Sequence, residues 1–527
     1  MKKSTVSFLL CGALICTALG GCGKTGKTKT TAEISDRYPV KTDEKLTYWV
    51  AMNSNVSAVA SNIGDTEFAK ELTKRTGIEI EYIHPSQGQE SEMFSLMIAS
   101  DELADIIEYD WLRAMGGPSK SIRDKIILPL GDYMDKYAPN LKKYLKENKQ
   151  VDKDIKTDDG EYYVFPLVRS DKSLLISYGP VVRRDWLDEL SLPVPETIDE
   201  WETMLKAFRD KKGAAAPLSV RGSDRYALYI LLNSSEEFYV ENGKVKYGPL
   251  EPEFKDATQT LHDWYKEKLL DNNYALVDGV TLDYNMLNGQ SGATLISGGS
   301  GLGKWIDTME GKDSTYKLSG AKYPKDKNGN VPMHIPFQLP YMGYGSAAIS
   351  ASCKNPELAA KFLDYAYSEE GHMLYNFGIE GKSYEMKDGN PVYTDEIMKN
   401  KDGLTVSQAM AKYMRVNYAG PYIQDKRYIS QYYSHSEQQK ALENWMNYYD
   451  ENEKSVLPPI TFEPSEATES NTLLNDVKKY LSTEVTSFIS GKRSMDTYDD
   501  FVKKLKELGA EKIVEIYQKA YDRYQSR

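Results

Sequence analysis

Residues 46–52, LTYWVAM, begin the stretch that decides the fold. The run is apolar and carries aromatic and branched side chains, so it predicts a strand. Glu67–Arg75 follows as a short helix, with Phe68 and Leu72 four apart and Gly77 as its stop. Residues 78–83, IEIEYI, predict a second strand, and residues 90–99 a second helix with Met93, Phe94, Met97 and Ile98 on one face. The apolar run 104–107, ADII, then leads into 108–111, EYDW. The order is βαβαβ. Such a unit gives parallel strands joined by right-handed crossovers, and in open sheets of this kind ligands lie outside the carboxyl ends of the strands. Asp110 and Trp111 fall at such an end.

Downstream, past the turn 158–160 (DDG), strand-like runs at Tyr162–Val168 and Leu174–Tyr178 precede Arg184-Asp185-Trp186 and a short helix, where the chain is expected to enter a second lobe. Thr197 and Glu200 form a capping box for a helix carrying Trp201, Leu205 and Phe208. Asn242-Gly243, between FYV and VKY, signals a hairpin. An amphipathic helix is expected over Glu253–Leu269. Asn355 and Pro356 open another through Phe362, Leu363 and Ala366, and Leu473–Tyr524 reads as mostly helical. No internal repeat is present in the sequence.

Upstream, Lys2 and Lys3 precede an apolar stretch from Val6 to Leu19, shorter than the ~20 residues a spanning helix needs. This is the pattern of an export signal. It closes on residues 19–22, LGGC, which looks like a bacterial lipobox in which Cys22 receives a diacylglyceryl group. The expected signal is therefore 1–21, followed by a tether over 22–45 that is rich in Gly, Thr and Lys. Of four cysteines, Cys11 and Cys16 would leave with the signal and Cys22 would be lipidated, so Cys353 would remain without a disulfide partner.

Across all 527 residues, 40% are hydrophobic, 27% charged and 11% aromatic, with a mean hydropathy of -0.56, as in a water-soluble globular protein of two or three lobes. The net charge of -12, from 66 Lys plus Arg against 78 Asp plus Glu, argues against a nucleic-acid or anionic-membrane binder. Removing residues 1–21 takes two lysines and moves the charge to -14. With 39 Tyr and 7 Trp but only 5 His, the chain is rich in flat amphipathic rings and poor in metal ligands and proton shuttles. That balance favours binding over zinc or acid–base chemistry.

Longer segments carry a resemblance: Gly77–Tyr82, 85–111 (PSQGQESEMFSLMIASDELADIIEYDW), 163–169 (YVFPLVR), 179–190 (GPVVRRDWLDEL), 355–381 (NPELAAKFLDYAYSEEGHMLYNFGIEG) and 457–461 (LPPIT). From about Leu46 to its end the chain resembles the family 1 extracellular solute-binding lipoproteins of Gram-positive carbohydrate ABC importers, in the branch similar to the alginate-binding proteins. The resemblance implies an α/β, two-lobed, periplasmic-binding-protein type II-like fold with hinge crossings and a helical C-terminal part. The expected division is 46–170 and 326–395 in the N-lobe, and 171–325 and 396–527 in the C-lobe. It implies a monomeric receptor on the outer face of the cell membrane, held by its lipid alone, that captures an oligosaccharide between its lobes and hands it to the ABC permease subunits. No cofactor, metal or nucleic acid is expected. A secreted polysaccharide-degrading enzyme and a sugar-sensing receptor for a surface kinase are the alternatives; glycosidases need two carboxylates at a set separation, and nothing among the 78 acidic residues singles out a pair.

Many such relatives carry an Asp/Asn/Gly-rich calcium loop after the helix corresponding to Trp201–Arg209. Here that place reads DKKGAAA (210–216), which supplies almost none of the converging oxygens that calcium requires. The string 326–330, DKNGN, lacks a downstream acidic closer and reads as a hairpin turn.

Sugar sites pair flat aromatics with side chains that hydrogen-bond in two directions. The candidates are Asp110, Trp111, Arg184, Trp305, Tyr344, Tyr422 and Arg427. Trp111 is either a stacking platform or a plug of the lobe core. Trp305, after the glycine-rich run 298–303, is either a ligand contact or helix-start packing. Trp186 reads as structural. Tyr341, Tyr344 and Gly345 lie in an expected crossing, and Tyr418, Gly420, Pro421, Tyr422 and Arg427 form a second aromatic loop. Arg184 and Arg427 are the candidate forks for a uronate carboxylate. Residues 298–304, GGSGLGK, match a P-loop in spacing but have Trp305 where magnesium needs Ser or Thr. The histidines, His84, His262, His334, His372 and His435, form no metal cluster in the sequence.

Overall fold

The computed structural model describes residues 37–416 and 419–527, so the lipobox with Cys22, most of the tether, and Tyr418 lie outside the described residues. Strand Lys45–Trp49 is the centre of the first sheet. It pairs in parallel with Glu79–Ile83 on one side (Lys45 opposite Glu79) and with Ile106–Tyr109 on the other. Ser346–Ile349 adds an antiparallel fourth strand against Ile106–Tyr109, with Ser346 opposite Tyr109. The helices between are Glu67–Thr76 and Glu90–Ser100, so the βαβαβ order holds.

Local chemistry explains the boundaries. Thr66 accepts from Ala69 N to start the first helix, and Gly77 ends it at φ 73°, where a Cβ would sit 2.2 Å from Val40 O. Thr197 and Glu200 form the expected capping box of helix Ile198–Lys212. The hairpin at Asn242 (φ 51°) and Gly243 (φ 75°) joins Phe238–Glu241 to Lys244–Tyr247, since two positive φ angles fit the twist of the strands. Asn355 caps Pro356–Asp364 by accepting from Leu358 N.

Two runs differ from the strands expected of them. Over residues 174–178 there is first the end of a 3₁₀ turn, Lys172–Leu174, capped by the Asp171 carboxylate; the strand starts at Tyr178 and runs to Arg183. Within 162–168, the ladder is reduced to single bridges at Tyr162 and Phe165 and the short strand Val168–Arg169. Both runs are apolar because they enter or leave a core, which alternation alone does not distinguish from pairing.

Two main cores define the lobes. The first gathers buried residues between Val40 and Val168 and again from Tyr341 to Tyr375, with Ala411 and Tyr422. The second runs from Leu175 to Phe337 and from Ala441 to Ile513, around the sheet in which Tyr178–Arg183 lies antiparallel between Ala293–Ser297 and Leu318–Gly320. The chain thus passes between cores three times, near residues 169–175, 337–341 and 424–441. The returns expected at 326 and 396 fall later, because Ile335 and Phe337 pack into the second core while residues 377–428 form a satellite cluster beside the first lobe. The crossings lie side by side: Ile423–Gln424 pairs in parallel with Val168–Arg169, Arg169 N donates to Pro340 O, and Gln338 N donates to Leu175 O. The C-terminal part is helical, as Pro464–Ile489, Tyr498–Glu507 and Ala510–Ser526. Cys353 is buried and unpaired. No helix among the described residues is long and apolar enough to cross a membrane.

Candidate functional site

The side-by-side crossings form the floor of a cleft between the lobes. A cavity of about 450 Å³ lies on it, walled by Arg169, Gln338, Tyr344, Tyr422, Gln424 and Tyr428 from the crossings and the first lobe, and by Ser297, Gly299, Ser300, Tyr432 and Tyr433 opposite them. A second cavity of about 300 Å³ shares Asn53, Tyr344 and Ala419 with it and extends to the carboxyl ends of the first lobe's strands, at Trp49–Asn53 and Glu108–Asp110. This is where a parallel sheet presents ligands.

Tyr344 stands where the two cavities meet. The Arg169 guanidinium bonds its hydroxyl and lies 5.0 Å from its ring centroid, and the hydroxyl reaches Gln338 Oε1 at 3.4 Å. Gln424 Nε2 donates to Val416 O at 2.7 Å and to the Tyr428 hydroxyl at 3.2 Å. At the strand ends, Glu108 accepts from Tyr48 and from Arg415, the latter at 3.0 Å in a buried ion pair, and Arg415 also bonds Ala419 O.

Asp110 borders this second cavity. Burial raises its carboxyl above the ordinary range, opposed by Arg113 at 3.3 Å and by the Leu112 and Arg113 amides, and its Oδ1 makes no hydrogen bond. Tyr422 lies in the wall but is fully buried, its hydroxyl donating to Arg415 O.

The other candidates sit elsewhere. Trp111 is 0% exposed; its indole N–H reaches Ile107 O, and it meets Phe94 and Tyr109 edge to face. Trp305 is also 0% exposed, with its indole N–H donating to Asp283 at 2.7 Å. Both indoles are core, and neither has an open face in this structure. Arg184 pairs with Asp188 and borders a separate cavity within the second lobe, beside Met309, Tyr316 and His435. Arg427 forks onto Asp425, which also takes His372; burial alone would raise the Asp425 carboxyl, but these bonds hold it well below the usual range. Arg427 is thereby engaged outside both cavities.

The sequence reading passed over Asn53, Tyr109, Arg169, Gln338, Tyr432 and Tyr433. Tyr109 and Arg169 each end a strand, a signal that could have been weighed; the Tyr432–Tyr433 pair could not be told from other tyrosines. The glycine run 298–303 is a π-helical turn, and its first two glycines answer to those two tyrosines: a Cβ would lie 2.9 Å from Tyr433 at Gly298 and 2.5 Å from Tyr432 at Gly299. Among the described residues no group of three or more His, Cys, Asp or Glu could hold a metal. Asp326 spends its carboxylate on its own turn, accepting from Asn328 N, Asn330 N and Asn330 Nδ2.

Residues 60–373 match the family described as Bacterial extracellular solute-binding protein. Lipoprotein LipO of Bacillus subtilis (strain 168) is 26% identical over 487 residues, 86% of this chain and 88% of that protein. The fructooligosaccharide ABC transporter substrate-binding protein FusA of Streptococcus pneumoniae serotype 4 is 23% identical over 96% of both chains. Among solved structures, the alginate-binding protein AlgQ2 without calcium ion superposes with a TM-score of 0.75 at 23% identity, covering 91% of this chain and 99% of that one.

Proposed function

Because the chain belongs to the bacterial extracellular solute-binding proteins, we propose that it captures an oligosaccharide in the cleft over its three crossings and delivers it to the transmembrane subunits of an ABC importer. The observation that carries this reading is the wall of the cleft: Tyr, Gln, Asn and Ser side chains from both lobes converge on the floor of crossings, which suits a ligand with flat faces and many hydroxyls. The relatives support the carbohydrate class, since one is described as binding fructooligosaccharides and another alginate. The family is one of extracellular solute-binding proteins, so the chain is a binding protein and not an enzyme. The proposed anchor is a lipid on Cys22, holding the body outside the membrane; the cysteine at the end of the short apolar segment supports it. Placement in the alginate-binding branch rests on likeness of fold and on the segments quoted above, and the chemistry of the cleft decides the ligand.

Closure follows from the same reading. A ligand touching both lobes makes more contacts when they approach, and so shifts the protein toward a closed form. Purified protein is screened by thermal shift against plant and bacterial oligosaccharides, and each hit is followed by small-angle scattering. A raised melting temperature with a smaller radius of gyration is expected. A screen with no hit, or binding without any change of shape, would speak against oligosaccharide capture or against closure respectively.

A further inference from the structure

Tyr109 is the last residue of the strand Ile106–Tyr109, and three aromatics fix its ring. Phe94 stacks on one face, with centroids 3.7 Å apart and an interplanar angle of 4°. Trp49 meets the ring at 6.2 Å and 64°, and Trp111 at 6.4 Å and 81°. The hydroxyl lies 3.4 Å from Ser91 Oγ. The ring is half-buried and borders the 300 Å³ cavity, and Phe94 covers one of its two faces. A flat ring held rigid on three sides loses almost no freedom when a second flat body stacks on it.

The charges around this face narrow the ligand further. Glu90, Glu108, Asp110 and Arg415 border the same cavity. Arg415 is tied to Glu108 in the buried pair, which leaves Glu90 and Asp110 as the excess. Arg113 meets Asp110 from the solvent side, with its side chain 85% exposed, so water screens its charge. A carboxylate brought here would be repelled, whereas a sugar hydroxyl would find acceptors in Glu90 and in the part of the Asp110 carboxylate that remains exposed.

We infer that the strand-end arm of the cleft is a subsite for an uncharged sugar ring, stacked on the open face of Tyr109 with its hydroxyls donating to Asp110. The inference rests on the oligosaccharide reading and adds to it the residue that carries the stack and the charge of the unit it accepts. It also gives Trp111 its role as a buttress of the platform.

Titration calorimetry on the purified protein tests it with two sets of probes, neutral fructo-, manno- and xylo-oligosaccharides and oligogalacturonates of matched length, at low and high salt. Binding of a neutral probe with little salt dependence is expected. Tyr109→Ala should weaken it about tenfold or more, Tyr109→Phe should keep it within about threefold, and Asp110→Asn should weaken it severalfold. Tyr109→Leu, which keeps apolar volume without a flat face, covers the case in which Tyr109→Ala fails to fold. Neutral binding untouched by Tyr109→Leu would remove the platform while leaving the oligosaccharide reading intact. Uronate binding that collapses with salt would overturn the uncharged subsite and again spare that reading. Binding of neither class at millimolar probe would overturn both.

Discussion

The Tyr524 hydroxyl donates to Asp154 Oδ1 at 2.5 Å and thereby fastens the last turn of the C-terminal helix to the first lobe. That helix begins in the second core, at Ala510 and Ile513, whereas Asp154 ends a helix whose Val151 belongs to the first. Gln150 reaches both the Tyr524 hydroxyl and Asp154, and Arg523 and Arg527 both clasp Asp158. The lobes are therefore tied by this clasp as well as by the crossings.

The clasp makes stability depend on pH. Burial pushes the Asp154 carboxyl up to about 6, against the bonds from Tyr524 and Gln150, and its Oδ2 makes no hydrogen bond. A carboxyl raised in the folded state holds its proton more tightly there than in the unfolded chain. Its ionisation therefore costs stability above about pH 6, and the cost fades as the pH falls toward the unfolded value near 4. Asp154→Asn keeps an acceptor for Tyr524 without the charge. It should stabilise the protein at pH 7, by up to about 3 kcal/mol, with no gain near pH 4. Calorimetric melting of both proteins at pH 4, 5.5 and 7 measures the difference, and a gain independent of pH would contradict the assignment.

Trp305 should matter for stability and not for affinity. Its indole is fully buried and its N–H is bonded to Asp283, so Trp305→Ala opens a cavity and removes that bond, while Asp283 keeps its ion pair with Lys304. A loss of about 3–5 kcal/mol is expected, with the affinity of the folded fraction within twofold of the original. Denaturant melts and ligand titration on the same sample separate the two, and a large affinity loss without destabilisation would put the indole back in the site.

Removal of divalent cations should leave the melting curve in place. The Asp326 turn is closed by its own amides, and the helix ending at Gly213 is followed by alanines where a calcium loop would need oxygens. A resident ion stabilises the native state by mass action, so its loss would lower the melting temperature. A fall of several degrees in EDTA, reversed by calcium, would be the contrary result.

Anchoring is testable in cells. Cys22→Ala should release the protein from the membrane fraction into the medium or leave it uncleaved, and retention of the mature form on the membrane would show that another element holds it.

Much of the fold was legible in the sequence because its signals are local: Gly77 at a left-handed stop in the first lobe, and the Thr197–Glu200 box and the primed turn Asn242-Gly243 in the second, each need only their neighbours. The strand-end rule pointed to the Glu108–Trp111 segment, and Asp110 does border the cleft. The ring that borders the cleft there is Tyr109, while Trp111 is buried. Whether Tyr109 or Trp111 faces solvent depends on Phe94 and Trp49, which reach the ring from other elements. Arg427 looked free for the same reason, since its partner Asp425 is two residues away but is held in place by His372 from a distant helix. Arg169 drew no attention because its value comes from lying between two other crossings.

Cys353 has a practical consequence. Burial, with the nearby charge of Asp105, pushes its thiol up to about 12, so almost none of it is thiolate at neutral pH. Alkylating dyes would thus find the described body of the protein silent. A single cysteine introduced at an open position such as Met115, which is 80% exposed, could then be labelled alone and test the proposed closure of the lobes through one fluorophore.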